Sequence, residues 1–158
     1  MSIEVGSRAP DFTLPDQYGD PLTLSEAVAD RHALLVFFPF AFSSICTGEL
    51  LEVQLSIDEF ANERVQVHAV SCDPVPALKT WAAIEGYRFP LLSDFWPHGE
   101  VSRAYGVLDE ASGTAARGTF LVAPDLTVRW SLVHGEAETR PIGLLHEAVR
   151  ELSGPTPS

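Results

Sequence analysis

Leu34-Leu35-Val36-Phe37-Phe38-Pro39-Phe40-Ala41-Phe42-Ser43-Ser44-Ile45-Cys46-Thr47-Gly48-Glu49 is the stretch whose reading decides the fold. With Ala33 before it, the run to Phe38 is apolar without alternation, as in a central strand covered on both faces. Pro39 has no N–H for a sheet ladder and ends the run. A short loop, Phe40 to Phe42, leads to two hydroxyls, Ser43 and Ser44, and then to an apolar-periodic helical segment. One of the two serines is expected to cap that helix. Cys46 falls in its first turn, where partial positive charge and unpaired N–H groups favour an anion. A thiol there is expected to ionise more readily than a free one, and the thiolate is the reactive form. The local reading is a reactive cysteine on a strand–loop–helix corner, against the alternative of a small buried hydrophobe.

The 158 residues carry a formal charge of −12, which disfavours phosphate backbones and anionic membranes alike. Nucleic-acid and membrane partners are therefore not expected. The length corresponds to one domain, residues 1–152, with residues 153–158 (SGPTPS) as a frayed tail. No basic start followed by a long apolar run marks a signal peptide, and no apolar stretch is long enough to cross a bilayer. A cytoplasmic location is expected. Cys46 and Cys72 are the two cysteines, too few for a disulfide scaffold.

Working outward, Ala9 to Leu14 and Leu22 to Leu24 read as brief strands, and Ser25 as the cap of a short helix, Glu26 to Ala29. The helix after the corner is expected to run from Ser44 to Asn62, with Leu50, Val53, Ile57 and Phe60 on one stripe. Val65 to Ser71 reads as a strand. Asp73-Pro74 reads as a cap and first helical residue, opening a helix to Glu85 that Gly86 stops. Leu78, Trp81, Ala82 and Ile84 form its expected buried side. A strand at Phe89 to Leu92, a short helix at Gly99 to Tyr105 and a turn at Ala111 to Gly113 follow. A hairpin, Gly118 to Ala123 with Leu126 to Val133, precedes a closing helix, Arg140 to Leu152. This order predicts an α/β protein with a thioredoxin-like fold: a central mixed β-sheet flanked by helices on both faces. The corner then lies at the C-terminal end of a central strand, where open α/β sheets place their sites.

Taken singly, the other candidates read modestly. Glu49 reads as a dipole-favoured surface acid, Arg117 as an exposed cation at the mouth of a strand, Trp81 as a core residue and Cys72 as an inert thiol. The five histidines show no paired spacing, and neither a G-x-G-x-x-G nor a Walker loop occurs, so no metal or nucleotide cofactor is expected.

Pro39 to Cys46 has the form P-x-x-x-(T/S)-x-x-C, and with Arg117-Gly118-Thr119-Phe120 downstream it resembles the peroxiredoxin signature. Phe37 to Phe42 and Ile45 to Leu50 look most like the alkyl hydroperoxide reductase E type, and the likeness continues through Gly6 to Leu14, Phe89 to Gly99 and Tyr105 to Val107. The resemblance implies a thiol-dependent peroxidase that reduces hydrogen peroxide and organic hydroperoxides through a Cys46 sulfenic acid. By the same resemblance, Cys46 matches the nucleophile and Ser43 the hydroxyl that bonds peroxide and sulfur. Pro39 matches the shield against water, and Arg117 the guanidinium that holds thiolate and substrate. Glu49 and Trp81 match supporting positions behind these groups. Ser43 departs from the commoner Thr, and Leu51 stands where a resolving cysteine often lies five residues after the nucleophile. A one-cysteine mechanism is implied, with Cys72 as the minority candidate for a resolving role. The implied reductant is a low-molecular-weight thiol with a glutaredoxin-like partner, or a thioredoxin, and the implied assembly is a homodimer. Two rival readings are a thiol–disulfide oxidoreductase, although Cys46-Thr47-Gly48-Glu49 lacks the usual second cysteine, and a non-catalytic thioredoxin-like binding module.

Overall fold

The computed structural model describes residues 3–134 and 140–150, so the expected tail from Ser153 lies outside the described residues. Strand β3, His32–Phe37, is the middle of a five-stranded sheet. Leu34, Val36 and Phe38 enter one core cluster and Ala33, Leu35 and Phe37 the other, which is why the run is apolar at every position. Strands β1 (Thr13–Pro15) and β2 (Pro21–Thr23) pair only with each other, apart from the main sheet. Short helix α1, Leu24–Ala27, starts at Thr23 with no side-chain cap, so the expected Ser25 cap is not formed. The N–H of Ser25 donates instead to Asp11 Oδ1, 2.9 Å away.

Beyond β3 the chain crosses over twice to make parallel neighbours. Helix α2, Ser44–Leu55, and the one-turn α3, Ile57–Phe60, lead to β4, Val65–Ser71. Helix α4, Val75–Glu85, leads to β5, Leu91–Ser93. The single helix expected to Asn62 breaks at Ser56, whose φ of −112° and ψ of 30° leave the helical range. Serine competes for nearby backbone groups and is a weak helix former. Leu50, Val53 and Phe60 nevertheless all reach the core. Gly86, at φ 77°, ends α4 in the left-handed conformation that glycine adopts without strain. Ile84 is 66 % exposed and so does not belong to the buried side of α4.

Helix α5, Glu100–Ala104, then brings in a small hairpin, β6 (Leu108–Asp109) with β7 (Thr114–Ala115), closed by the expected turn at 111–113. Strands β8, Arg117–Val122, and β9, Val128–His134, complete the order β5-β4-β3-β8-β9, with β8 antiparallel to β3. Helix α6, Ile142–Arg150, closes the described chain. Residues from α2, α4 and α6 pack on one face of the sheet, and residues from α1 and α5 on the other. This is the α/β, mixed-sheet, thioredoxin-like arrangement expected from the order of elements.

His68 on β4 is 2 % exposed, and neither ring nitrogen has a hydrogen-bond partner among the described residues. Burial pushes its pKa from 6.5 down to about 4, with Arg31 adding repulsion. Between those values the unfolded chain binds a proton that the folded one rejects, so stability falls as pH drops from about 6.5 towards 4. Urea unfolding at pH 7 and pH 4.5 should show His68→Leu losing ~2 kcal/mol less than the parent on acidification. Equal losses would show that His68 is not the acid-sensitive group.

Candidate active site

The corner is held from both sides. The N–H of Phe38 still donates to Val70 O at 3.0 Å, and the buried Pro39 then ends the ladder. The N–H of Ala41 donates to Asp73 Oδ2 at 2.8 Å, an oxygen that also accepts from Ser71 Oγ at 2.6 Å. Asp73 thus latches the loop to the end of β4. The expected capping role passes to Pro74, which occupies the N-cap position of α4 with Val75 as the first helical residue. Phe42 turns the chain at φ 69°, an uncommon value for a non-glycine residue, and packs 6.2 Å from the Trp81 ring.

Ser43 occupies the N-cap position of α2 (φ −63°, ψ 136°), but its hydroxyl makes no cap bond. It lines a pocket of about 270 Å³ instead. Ser44 is the first helical residue and is exposed. Cys46, third in the helix, is fully buried among Leu50, Val53 and the strands beneath. Its N–H belongs by position to the first-turn donors that lack an intrahelical partner.

Arg117 comes to the sulfur through strand register. Thr119 pairs with Val36, so Arg117 extends past the end of β3 on the face that carries α2. Its Nη2 donates to Cys46 Sγ at 3.4 Å and its Nε to Glu49 Oε1 at 3.1 Å. The reading of Arg117 as an exposed cation is overturned: it is 2 % exposed. At the adjacent Gly118, a Cβ would stand 2.8 Å from Val107 Cγ1, so a side chain there would force Val107 to shift, and glycine lets β8 pass without that.

Glu49 lies one turn beyond Cys46 on the same helix face and is 7 % exposed, which overturns its reading as a surface acid. Its second oxygen accepts from the backbone N–H of Arg140 and lies 3.7 Å from Arg140 Nε. The sequence reading passed over Arg140 as the start of a closing helix. It is 3 % exposed and donates through Nη2 to Phe37 O. Burial pushes its pKa from 12.5 down to about 10, opposed by Glu49 and Cys46 and reinforced by Arg117. No local pattern marks this residue, because its partners lie elsewhere in the chain. Trp81 donates from Nε1 to Thr47 Oγ1 at 3.3 Å and stacks near Phe38, so it braces the residue after the cysteine.

Cys72 does not join this group. It is buried at the end of β4 with Sγ 3.9 Å from Ser102 Oγ of α5, on the side of the sheet away from α2. Burial, then Asp94, pushes its thiol up to about 11. Both cysteines are free thiols. Pro39, Phe40, Ser43 and Ile45, from the corner, line the pocket together with Ser112, Thr114 and Arg117.

Removing the Arg140 side chain takes a second cation from the buried Glu49 carboxylate and a donor from the Phe37 carbonyl. Arg140→Ala should lower unfolding free energy by about 3–5 kcal/mol in urea titrations, the usual cost of breaking a buried pair. A loss below about 1 kcal/mol, the range of exposed pairs, would show that the pair carries little of the fold.

The AhpC/TSA family model matches residues 5–131. Alkyl hydroperoxide reductase E of Mycobacterium tuberculosis is 44% identical over 151 residues, covering 96% of this chain and 99% of that protein. Peroxiredoxin 2 of Picrophilus torridus is 30% identical, covering 96% and 77% respectively. Among solved structures, peroxidoxin BcpB from Mycobacterium tuberculosis superposes with a TM-score of 0.83 at 28% identity, covering 94% of this chain and 97% of that one. The AhpC of Enterococcus faecalis gives 0.82 at 26%, covering 97% and 93%. With its cysteine at the head of a helix and an arginine against the sulfur, the chain belongs to the AhpC/TSA family and is a peroxiredoxin of the alkyl hydroperoxide reductase E type.

Proposed function

We propose that this thiol-dependent peroxidase reduces hydrogen peroxide and organic hydroperoxides at Cys46. The observation that carries the reading is the Arg117 guanidinium 3.4 Å from Cys46 Sγ at the start of α2. An arginine stays charged and offers fixed donors, so it stabilises a thiolate and the charge that builds on the departing oxygen. Arg117 is itself held by Glu49, which also meets Arg140, so the guanidinium is fixed where it touches the sulfur.

In the proposed cycle the sulfur attacks the nearer peroxide oxygen and the O–O bond breaks. The other oxygen leaves as hydroxide or alkoxide and is protonated to water or alcohol. Ser43, whose hydroxyl is free of a capping duty and faces the pocket, donates to the peroxide, and Pro39 keeps bulk water from the sulfur. Cys46 is left as a sulfenic acid. An external thiol attacks that sulfur with loss of water, and a second thiol releases the mixed disulfide. The reductant is a low-molecular-weight thiol served by a glutaredoxin-like protein, or a thioredoxin. Cys72 takes no part, since its thiol is held protonated on the far side of the sheet. The enzyme works as a homodimer in the cytoplasm; no helix among the described residues is long and apolar enough to cross a membrane.

Cys46→Ser should abolish hydroperoxide turnover, and retained turnover would sink the assignment. In stopped-flow measurements Arg117→Ala should slow Cys46 oxidation by about a hundredfold to a thousandfold, the usual worth of one preorganised donor. An unchanged rate would remove Arg117 from the chemistry. Intact mass after one equivalent of peroxide should show one added oxygen. Loss of two hydrogens within a monomer would instead make Cys72 the resolving thiol.

A further inference from the structure

Two unlike sets of side chains line the pocket beside Arg117, and hydrogen peroxide alone accounts for neither. The pocket's volume is about 270 Å³. A water molecule takes up roughly 30 Å³ of liquid, and an apolar cavity of about 150 Å³ holds a benzene ring, so the space suits an organic group. One set is Phe40, half exposed, and Ile45, half buried. The other is Ser112, exposed, and Thr114, half buried, whose hydroxyl oxygens are 2.7 Å apart.

We infer that these two sets sort hydroperoxides by their organic group. Phe40 and Ile45 take its apolar body, and the Ser112–Thr114 pair takes a second oxygen. The favoured class is a neutral organic hydroperoxide with a hydroxyl or carbonyl close to the peroxide. This rests on the peroxidase reading above.

Three observations carry it. One hydroxyl proton of the pair is spent between Ser112 and Thr114, which leaves one O–H and several lone pairs to meet a substrate oxygen. The pair is also held in place. Gly113 between them sits at φ 72°, its N–H donates to Asp109 O at 2.8 Å, and its carbonyl accepts from His98 Nε2 at 2.7 Å. A Cβ on Gly113 would lie 3.3 Å from that nitrogen, so glycine allows the close contact. Groups fixed beforehand lose little freedom on binding. Finally, Arg117 is the one charged residue lining the pocket among the described residues, and it already bonds Glu49 and Cys46. A substrate carboxylate would find no second cation among the described lining residues, on a chain of net charge −12.

A matched pair of substrates tests this: tert-butyl hydroperoxide, and the same molecule with a hydroxyl on one methyl group (2-hydroperoxy-2-methylpropan-1-ol). Rates of Cys46 oxidation are compared as a ratio within each protein, so a general loss of reactivity cancels. The parent should favour the hydroxylated substrate by about threefold to tenfold, the worth of one hydrogen bond. In Ser112→Ala/Thr114→Val the ratio should fall to about one, and in the gentler Ser112→Ala it should fall part of the way. A ratio near one in the parent, or one that survives the double substitution, overturns the inference and leaves the peroxidase reading intact. If neither substrate oxidises Cys46, the peroxidase reading fails and takes the inference with it.

Discussion

Arg117 sits between a carboxylate and a sulfur in a place almost closed to water. A guanidinium cannot stay there uncompensated, because taking a charge out of water costs several kcal/mol or more. Glu49 meets one edge of it and Cys46 the other. The same Glu49 reaches the backbone and side chain of Arg140, which in turn closes on the carbonyl at the end of β3. One charge cluster therefore ties the first turns of α2, the start of β8 and the entry to α6 to the tip of the central strand. The guanidinium that touches the sulfur also helps keep these segments together.

The sheet makes that cluster geometrically available. β3 is central and apolar on both faces, so its C-terminal end is a rigid point from which the loop at Pro39 departs. Asp73, from the next crossover, grips that loop through Ala41. Trp81 and Tyr87 grip the other side of the cysteine through the hydroxyl and carbonyl of Thr47. The segment that carries the sulfur is therefore fixed from both sides. Ser112 and Thr114 reach the pocket from elsewhere in the chain, on the hairpin of β6 and β7 that His98 and α5 pin.

Much of the corner was legible because its signals are local. An unbroken apolar run, a proline and a change to helical periodicity mark β3, the loop and α2 within a few residues. Gly86 marks the end of α4 by the backbone conformation that glycine readily adopts. Other local signals were overruled. Asp73-Pro74 has the form of a helix start, yet the carboxylate finds a better donor in Ala41. The helical stripe from Leu50 to Phe60 is continuous in sequence, while the backbone breaks at Ser56. Ile84 falls near an apolar stripe but faces outward, because α4 rests on the sheet through Leu78, Trp81 and Ala82.

By itself the chain's sequence determined the main order of elements, though not the small β6–β7 hairpin or the break between α2 and α3, and it determined the strand–loop–helix corner and the place of Cys46 in the first turn, since each depends on neighbours a few residues away. The fates of Glu49, Arg117 and Arg140 were decided only by tertiary structure. Each is an ordinary surface residue until strand register and helix packing bring together groups 68, 71 and 91 residues apart. Whether a charge is buried depends on the partner that meets it, and here that partner is set by the pairing of β8 with β3 and by the chain's return to α6.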